Sequence, residues 1–254
     1  MLRLDALMRD KPGYSLPTQY RLGAPGQTVL CFHNFYEQLF PGQDTPVDLH
    51  VLAFAEDGSQ VHGETLRVAT GEAVQYSAAA ADARGSGMIA AMAVPAFDLA
   101  QINAGRLRIR SEIGTGFYVI WKDARGRLDT MHEWMPVRAT AGGESRYFFV
   151  FDAARHLLAR VGLVLTNPCC ARGADATGTL ALYDRAGTVL GRERLPAVPP
   201  MGSKLVYLDE LFPDARTWFE RHGALGARID GVNLVEPLTA EFHQSGDLHL
   251  HHIN

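Results

Sequence analysis

Short runs of β-branched and aromatic residues, each closed by a break rich in glycine, proline or aspartate, recur along most of the chain. The clearest is Leu180-Ala-Leu-Tyr-Asp-Arg-Ala-Gly-Thr-Val-Leu-Gly-Arg-Glu-Arg-Leu195. Its apolar run ends at Tyr183, Asp184 to Gly187 supplies turn chemistry with Gly187 free to take positive φ, and extended sequence resumes at Thr188. The pattern predicts a β-hairpin. A second copy lies 129 positions earlier, from Val51 to Leu66, setting Gly58 on Gly187, Glu64 on Glu193 and Leu66 on Leu195. Val74-Gln-Tyr76 then matches Leu205-Val-Tyr207, and Gly126 to Trp134 matches Gly246 to Asn254 at an offset of 120. The shared order of strand, turn, strand and late strand points to an internal duplication.

Taken in order, residues 1–27 hold Pro12, Gly13, Pro17, Gly23, Pro25 and Gly26 and predict an irregular N-terminal arm. Strands are predicted over Thr28–Tyr36, Val47–Phe54, Gln60–Val68, Val74–Tyr76, Arg106–Arg110, Gly116–Trp121 and Leu128–Met135. An alanine-rich insertion from Ser77 favours a helical turn, Met88–Met92 reads equally as strand or helix, and Val94–Asn103 predicts a short helix. Pro136 to Ser145 is small, polar and glycine-rich, which sets a domain border near Ala141. Beyond it, strands are expected at Tyr147–Phe151, Ala159–Thr166, the hairpin, Lys204–Leu208, Gly226–Gly231, Leu238–Phe242 and Asp247–Ile253. One helix is expected from Leu211 to Gly223, with Pro213 in its first turn and Gly223 as its stop. The expected fold is therefore all-β: two tandem antiparallel β-sandwiches with short helical insertions, over residues 28–141 and 142–254, behind the arm at 1–27.

Composition narrows the partners. Charged residues make up 20% of the 254 positions and the net charge is −4, so no basic field draws the chain to nucleic acid. The three cysteines, Cys31, Cys169 and Cys170, imply no disulfide framework. Arg3, Asp5, Arg9 and Asp10 interrupt the N-terminal apolar residues, which argues against a signal peptide, and no apolar run is long enough for a membrane span. A bacterial-type, cytoplasmic protein is the expectation.

Asn167-Pro168, Leu180-Ala-Leu-Tyr-Asp-Arg-Ala-Gly187, Pro199-Pro-Met-Gly202 and Leu208-Asp-Glu-Leu-Phe-Pro213 follow one another in an order that resembles the immunoglobulin-like sandwich modules of uncharacterised bacterial proteins. Gly105-Arg-Leu-Arg-Ile-Arg-Ser111 looks like the same module's late strand in the first half, and there is a fainter likeness to the sandwich of sensory rhodopsin transducers. The resemblance implies a fold and no activity, since such modules usually bind or space. They are commonly secreted, which the N-terminus here does not match.

Candidate chemistry is sparse. In a terminal strand His249 and His251 share one face about 7 Å apart, a spacing that suits a divalent metal, while His252 turns to the other face beside Leu248 and Leu250. A third ligand must come from elsewhere, and the matching positions in the first half, Asp129 and Met131, supply no parallel. His132 and Glu133 form the second metal candidate, His132 matching His252 across the copies, with solvated or backbone-bonded histidines as the plain alternative. Cys31 and His33 share a strand face but lack an orienting group, so a packed thiol is the simpler reading, and Cys169-Cys170 completes no metal motif. Phe148, Phe149, Phe151, Tyr118 and Trp121 are read as core, with any solvent-facing subset able to stack on a sugar. No phosphate-binding loop, dinucleotide fingerprint, nucleophile elbow or zinc-protease motif is present.

Three functions remain. The first is a non-enzymatic protein that binds a small molecule or another protein, at the interface of the copies or on their loops. The second is a metal-dependent enzyme using the C-terminal histidines, and the third is a structural subunit of an assembly.

Overall fold

The computed structural model describes residues 1–24, 26–77, 85–103, 117–131, 135–152, 159–243 and 248–252. The chain is mostly antiparallel β. In order it forms α1 (Leu4–Asp10), β1 (Pro17–Arg21), β2 (Gln27–His33), α2 (Tyr36–Leu39), β3 (Val47–Ala55), β4 (Gln60–Val68), β5 (Ala73–Ser77), β6 (Gly87–Pro95), α3 (Leu99–Asn103), β7 (Phe117–Lys122), β8 (Leu128–Met131) and β9 (Met135–Pro136). Then come β10 (Glu144–Asp152), β11 (Ala159–Thr166), β12 (Ala176–Tyr183), β13 (Val189–Val198), β14 (Ser203–Tyr207), α4 (Leu208–Leu211), α5 (Ala215–His222), β15 (Ala224–Val232), β16 (Val235–His243) and β17 (Leu248–His252). No helix among the described residues is long and apolar enough to cross a membrane.

Two compact units divide the chain. The first comprises Met1–Ala55, Ser59–Lys122 and Thr130–Val137; the second comprises Glu56–Gly58, Asp123–Asp129 and Arg138–Asn254. The division falls four residues before the predicted border at Ala141, and two short turns from the first half group with the second unit. In the first half of the chain the sheets run β4-β3-β6-β1-β9 and β5-β2-β7-β8, β8 being shared between the units. In the second they run β13-β12-β15-β10 and β14-β11-β16-β17. Apart from β9, each strand of the first unit holds the same place as the strand nine later in chain order.

The turns explain why the hairpin was legible. At β12–β13, Asp184 Oδ1 accepts the backbone N–H groups of Ala186 and Thr188 at 2.9 and 2.8 Å, the Asp184 N–H donates to Thr188 O, and Gly187 sits at φ +82°. Asp123 does the same between β7 and β8, accepting from Arg125 and Arg127 at 2.8 and 2.9 Å with Gly126 at φ +83°. The β3–β4 turn keeps the backbone form, Ala55 N–H to Ser59 O and Gly58 at φ +80°, with Ala55 where the other two have aspartate. All three are short loops in which a left-handed residue completes the turn, a position that favours glycine.

Several expectations change. The stretch 1–27 is no irregular arm: α1 buries Leu7, and all five residues of β1 are buried between β6 and β9. Its prolines and glycines mark the ends of short elements rather than their absence. Met88–Met92 is strand, the buried centre of β6, and the helix expected from Val94 is confined to α3, where Asp98 Oδ1 accepts the Gln101 N–H at 2.9 Å. The single helix expected over 211–223 is two. Pro213 holds Phe212 at φ −130°, ψ 92°, out of the helical region, and α5 restarts at Ala215. Gly223, at φ +75°, ends it by donating to Phe219 O. The alanine-rich insertion after Ser77 and the strand expected at Arg106–Arg110 lie outside the described residues.

The core of the second unit draws on both of its sheets. Phe151, Leu180, Leu182, Leu195, Leu225 and Ile229 from one meet Val161, Leu163, Leu165 and Val206 from the other, with Phe212 and Phe219 closing one end.

Candidate functional site

In the second unit the face of β13-β12-β15-β10 that turns away from this core carries charge. Strand register places Arg146, Asp230, Thr179 and Arg194 side by side across all four strands. Arg146 Nε donates to Asp230 Oδ1 at 2.7 Å and Arg228 Nε to Oδ2 at 2.8 Å. The Arg146 bond, reinforced by Arg228, holds the Asp230 carboxyl below the usual carboxylate range. Arg194 pairs with no acid among the described residues.

These side chains, with Glu144, Ser145 and the Cβ-free Gly178 and Gly231, line an open concavity of about 790 Å³. Beside it on β10, Phe148 and Val150 are 60% and 70% exposed. Three guanidiniums against two carboxylates, of which Asp230 is engaged by Arg146 and Arg228, with flanking apolar surface, suit an anionic group attached to an apolar body. In the first unit the matching strands β1, β3 and β6 are buried on both faces almost throughout, so this open face has no counterpart there among the described residues.

The aromatic run of β10 reads from sequence as core, with a solvent-facing subset left open, and that hides the charged surface beside it. The structure splits it by alternation: Phe149 and Phe151 face inward, Phe148 outward, and likewise Trp121 is buried while Tyr118 is exposed. The available signal was the charge at alternate positions, Glu144 and Arg146 on one strand, Arg228 and Asp230 on the other.

The terminal histidines fall on the edge strand β17. As expected from alternation, His249 and His251 share a face, their rings stacked with centroids 6.1 Å apart. The ladder adds what the sequence left open. Glu241 lies opposite His249 and Thr239 opposite His251, and the ring of His243 meets that of His249 edge-on at 5.3 Å. Glu241 is 7% exposed, and its carboxylate lies 3.7 Å from His243 Nε2. His252 pairs with Leu238 in the ladder, while His132 and Glu133 lie outside the described residues. Asp129 Oδ2 accepts the backbone N–H of Leu250. Among the described residues no three histidine, cysteine or acidic side chains converge on one point at coordinating distance.

The thiols are structural. Cys31 is buried, Cys169 donates to Thr140 O and Cys170 to Arg138 O, each at 3.3 Å. Burial pushes the Cys31 and Cys170 thiols above their ordinary range, opposite to what a nucleophile requires. A cluster not anticipated sits on β4 and β5, where Tyr76 bonds Glu64 and holds its carboxyl low, and His62 Nε2 lies 3.2 Å from Glu64 Oε1.

His50, 9% exposed on β3, bonds Thr65 Oγ1 through Nδ1 at 2.8 Å, and burial holds its imidazole below the ordinary 6.5. As pH falls through about 6.5 the unfolded chain takes this proton before the folded one. The stability is thus complete above that value and declines below it, by at most about 1.4 kcal/mol per pH unit for one group. Thermal melts at pH about 7 and about 5.5 should show a loss that shrinks in His50→Gln; an identical pH dependence in that variant would remove His50 from the account.

No family model and no curated protein matches the chain. Among solved structures, the chain is similar to the exo-β-D-glucosaminidase CsxA studied with a glucosamine-configured castanospermine and an amino-australine analogue, at 12% identity and a TM-score of 0.17. The match covers 81% of this chain and 23% of that one. A variant of the Amycolatopsis orientalis exo-chitosanase CsxA in complex with PNP-β-D-glucosamine matches at 12% identity, a TM-score of 0.16 and the same coverage. This chain spans less than a quarter of the length of those structures. A likeness so slight carries neither fold nor activity across.

Proposed function

We propose that the protein is a non-enzymatic binding protein built from two related β-sandwich domains of the immunoglobulin-like kind, arisen by duplication, and that it holds an acidic segment of a partner protein on the outer face of β13-β12-β15-β10. The repeated strand order and the matching β3–β4 and β12–β13 turns support the duplication. The observation that carries the binding reading is the arginine row beside exposed Phe148 and Val150, on a sheet face left open to solvent. Guanidiniums select carboxylates by paired donors, and the apolar strand beside them adds buried area that charge alone does not provide.

The probe is a short fluorescent peptide alternating glutamate and leucine, followed by anisotropy. It should bind the native chain, lose affinity with added salt, and bind about tenfold or more weakly to Arg194→Glu combined with Phe148→Ser. Both substitutions are at exposed positions, so the circular dichroism should stay native. Absence of binding to the native chain, or equal binding by the doubly substituted one, would overturn the reading.

A further inference from the structure

We propose that two copies of this chain associate through β10, pairing antiparallel about Phe149, so that the sheet β13-β12-β15-β10 runs on into that of the second copy. The proposal uses the edge of that sheet and does not rest on the acidic-segment reading, which uses its face.

The first support is the edge itself. An edge strand presents unpaired backbone N–H and C=O groups, and chains guard them with short length, bulges, proline or lysine. β10 has none of these. It runs nine residues in unbroken register with β15, contains no proline, glycine or lysine, and pairs with no strand on its outer side among the described residues. The opposite edge of the same sheet is guarded: β13 shifts register twice against β12 and carries Pro196 and the charged run Arg192-Glu193-Arg194. In the other sheets β5, β8, β9, β14 and β17 are five residues or shorter, and on β4 the carbonyl of Gly63 already accepts the Leu2 N–H. Apolar side chains line the unguarded edge, with Phe148 and Val150 exposed on its outward side and Tyr147 and Phe149 only partly buried on its inward side.

The second support is self-complementarity, which selects a second copy as the occupant. Under a two-fold axis at Phe149, Phe148 of one copy falls level with Val150 of the other, Tyr147 with Phe151, and Arg146 with Asp152. Apolar meets apolar on the outward face, aromatic meets aromatic on the inward one, and the last pair joins opposite charges. Moving the axis to Phe148 would set Glu144 level with Asp152, like charges directly opposite, and Val150 level with Arg146. Moving it to Val150 would set Phe148 level with Asp152. One pair of edges is a small interface, so half-association is expected at about 10–100 µM, and more dilute chain is monomeric.

The test is sedimentation velocity of the full chain from about 5 to about 500 µM, over which the mass should rise from one chain toward two. Val150→Lys breaks the apolar pair and guards the edge at an exposed position, and should weaken association at least about tenfold. Val189→Lys, at an exposed position of β13, should leave it unchanged. The register is read separately. Mixing Phe148→Cys chains with Val150→Cys chains under mild oxidation should give a disulfide-linked pair, since those positions face each other, and either variant alone should give little. A native chain that stays monomeric at the highest concentration, a dimer that responds to both lysine substitutions alike, or cross-linking as strong in one cysteine variant alone as in the mixture overturns the proposal.

Discussion

Leu180→Ala should lower the unfolding free energy by about 2–5 kcal/mol. Leu180 is fully buried on β12, opposite Ile229 of β15, in the core that unites both sheets of the second unit. Removing most of its side chain forfeits the transfer free energy and leaves a cavity that ladder-bonded strands on both sides of β12 cannot collapse to fill. Val150→Ala, a truncation at an exposed position of β10 in the same sheet, should cost less than about 0.5 kcal/mol. Urea unfolding followed by circular dichroism separates the two, and a loss below about 1 kcal/mol for Leu180→Ala would mean that the core is not packed as described.

Two turn glycines with the same backbone should respond differently to alanine. Gly187 and Gly58 sit at φ +82° and +80°, so each substitution bears a left-handed cost of about 1–2 kcal/mol. At Gly187 a Cβ meets nothing within 4 Å, and the cost ends there. At Gly58 it would lie 2.0 Å from the carbonyl oxygen of Pro200, so backbone must move, and the total should exceed about 3 kcal/mol. That displacement disturbs the neighbouring bond from the Ser203 N–H to Glu56 O. Equal destabilisation of the two variants in chemical unfolding would show that the close approach at Gly58 is relieved without cost.

Local chemistry made much of the fold readable in advance. The Asp184 and Asp123 turns are written in four residues each, and alternation on β17 was enough to put His249 and His251 on one face. What escaped depended on partners distant in sequence. β1 is too short and too flanked by proline and glycine to announce itself, and only its ladder with β6 makes it a buried strand. His243 and Glu241 join the histidines solely through the β16–β17 register, and the arginine row exists solely because four strands bring Arg146, Asp230, Thr179 and Arg194 level. The break at Phe212 follows from Pro213, whose restriction of the preceding residue outweighs its tolerance in a first turn.

The membership of the two units also sets an order of assembly. Nothing in the first unit comes later than Val137, so a growing chain can complete it before the second half is made. The second unit has no such independence: it must recruit Glu56–Gly58 and Asp123–Asp129, turns synthesised and closed earlier. Those contacts span long stretches of sequence, which makes the second unit the slower to mature, and a fragment beginning at the linker would start without two of its own pieces.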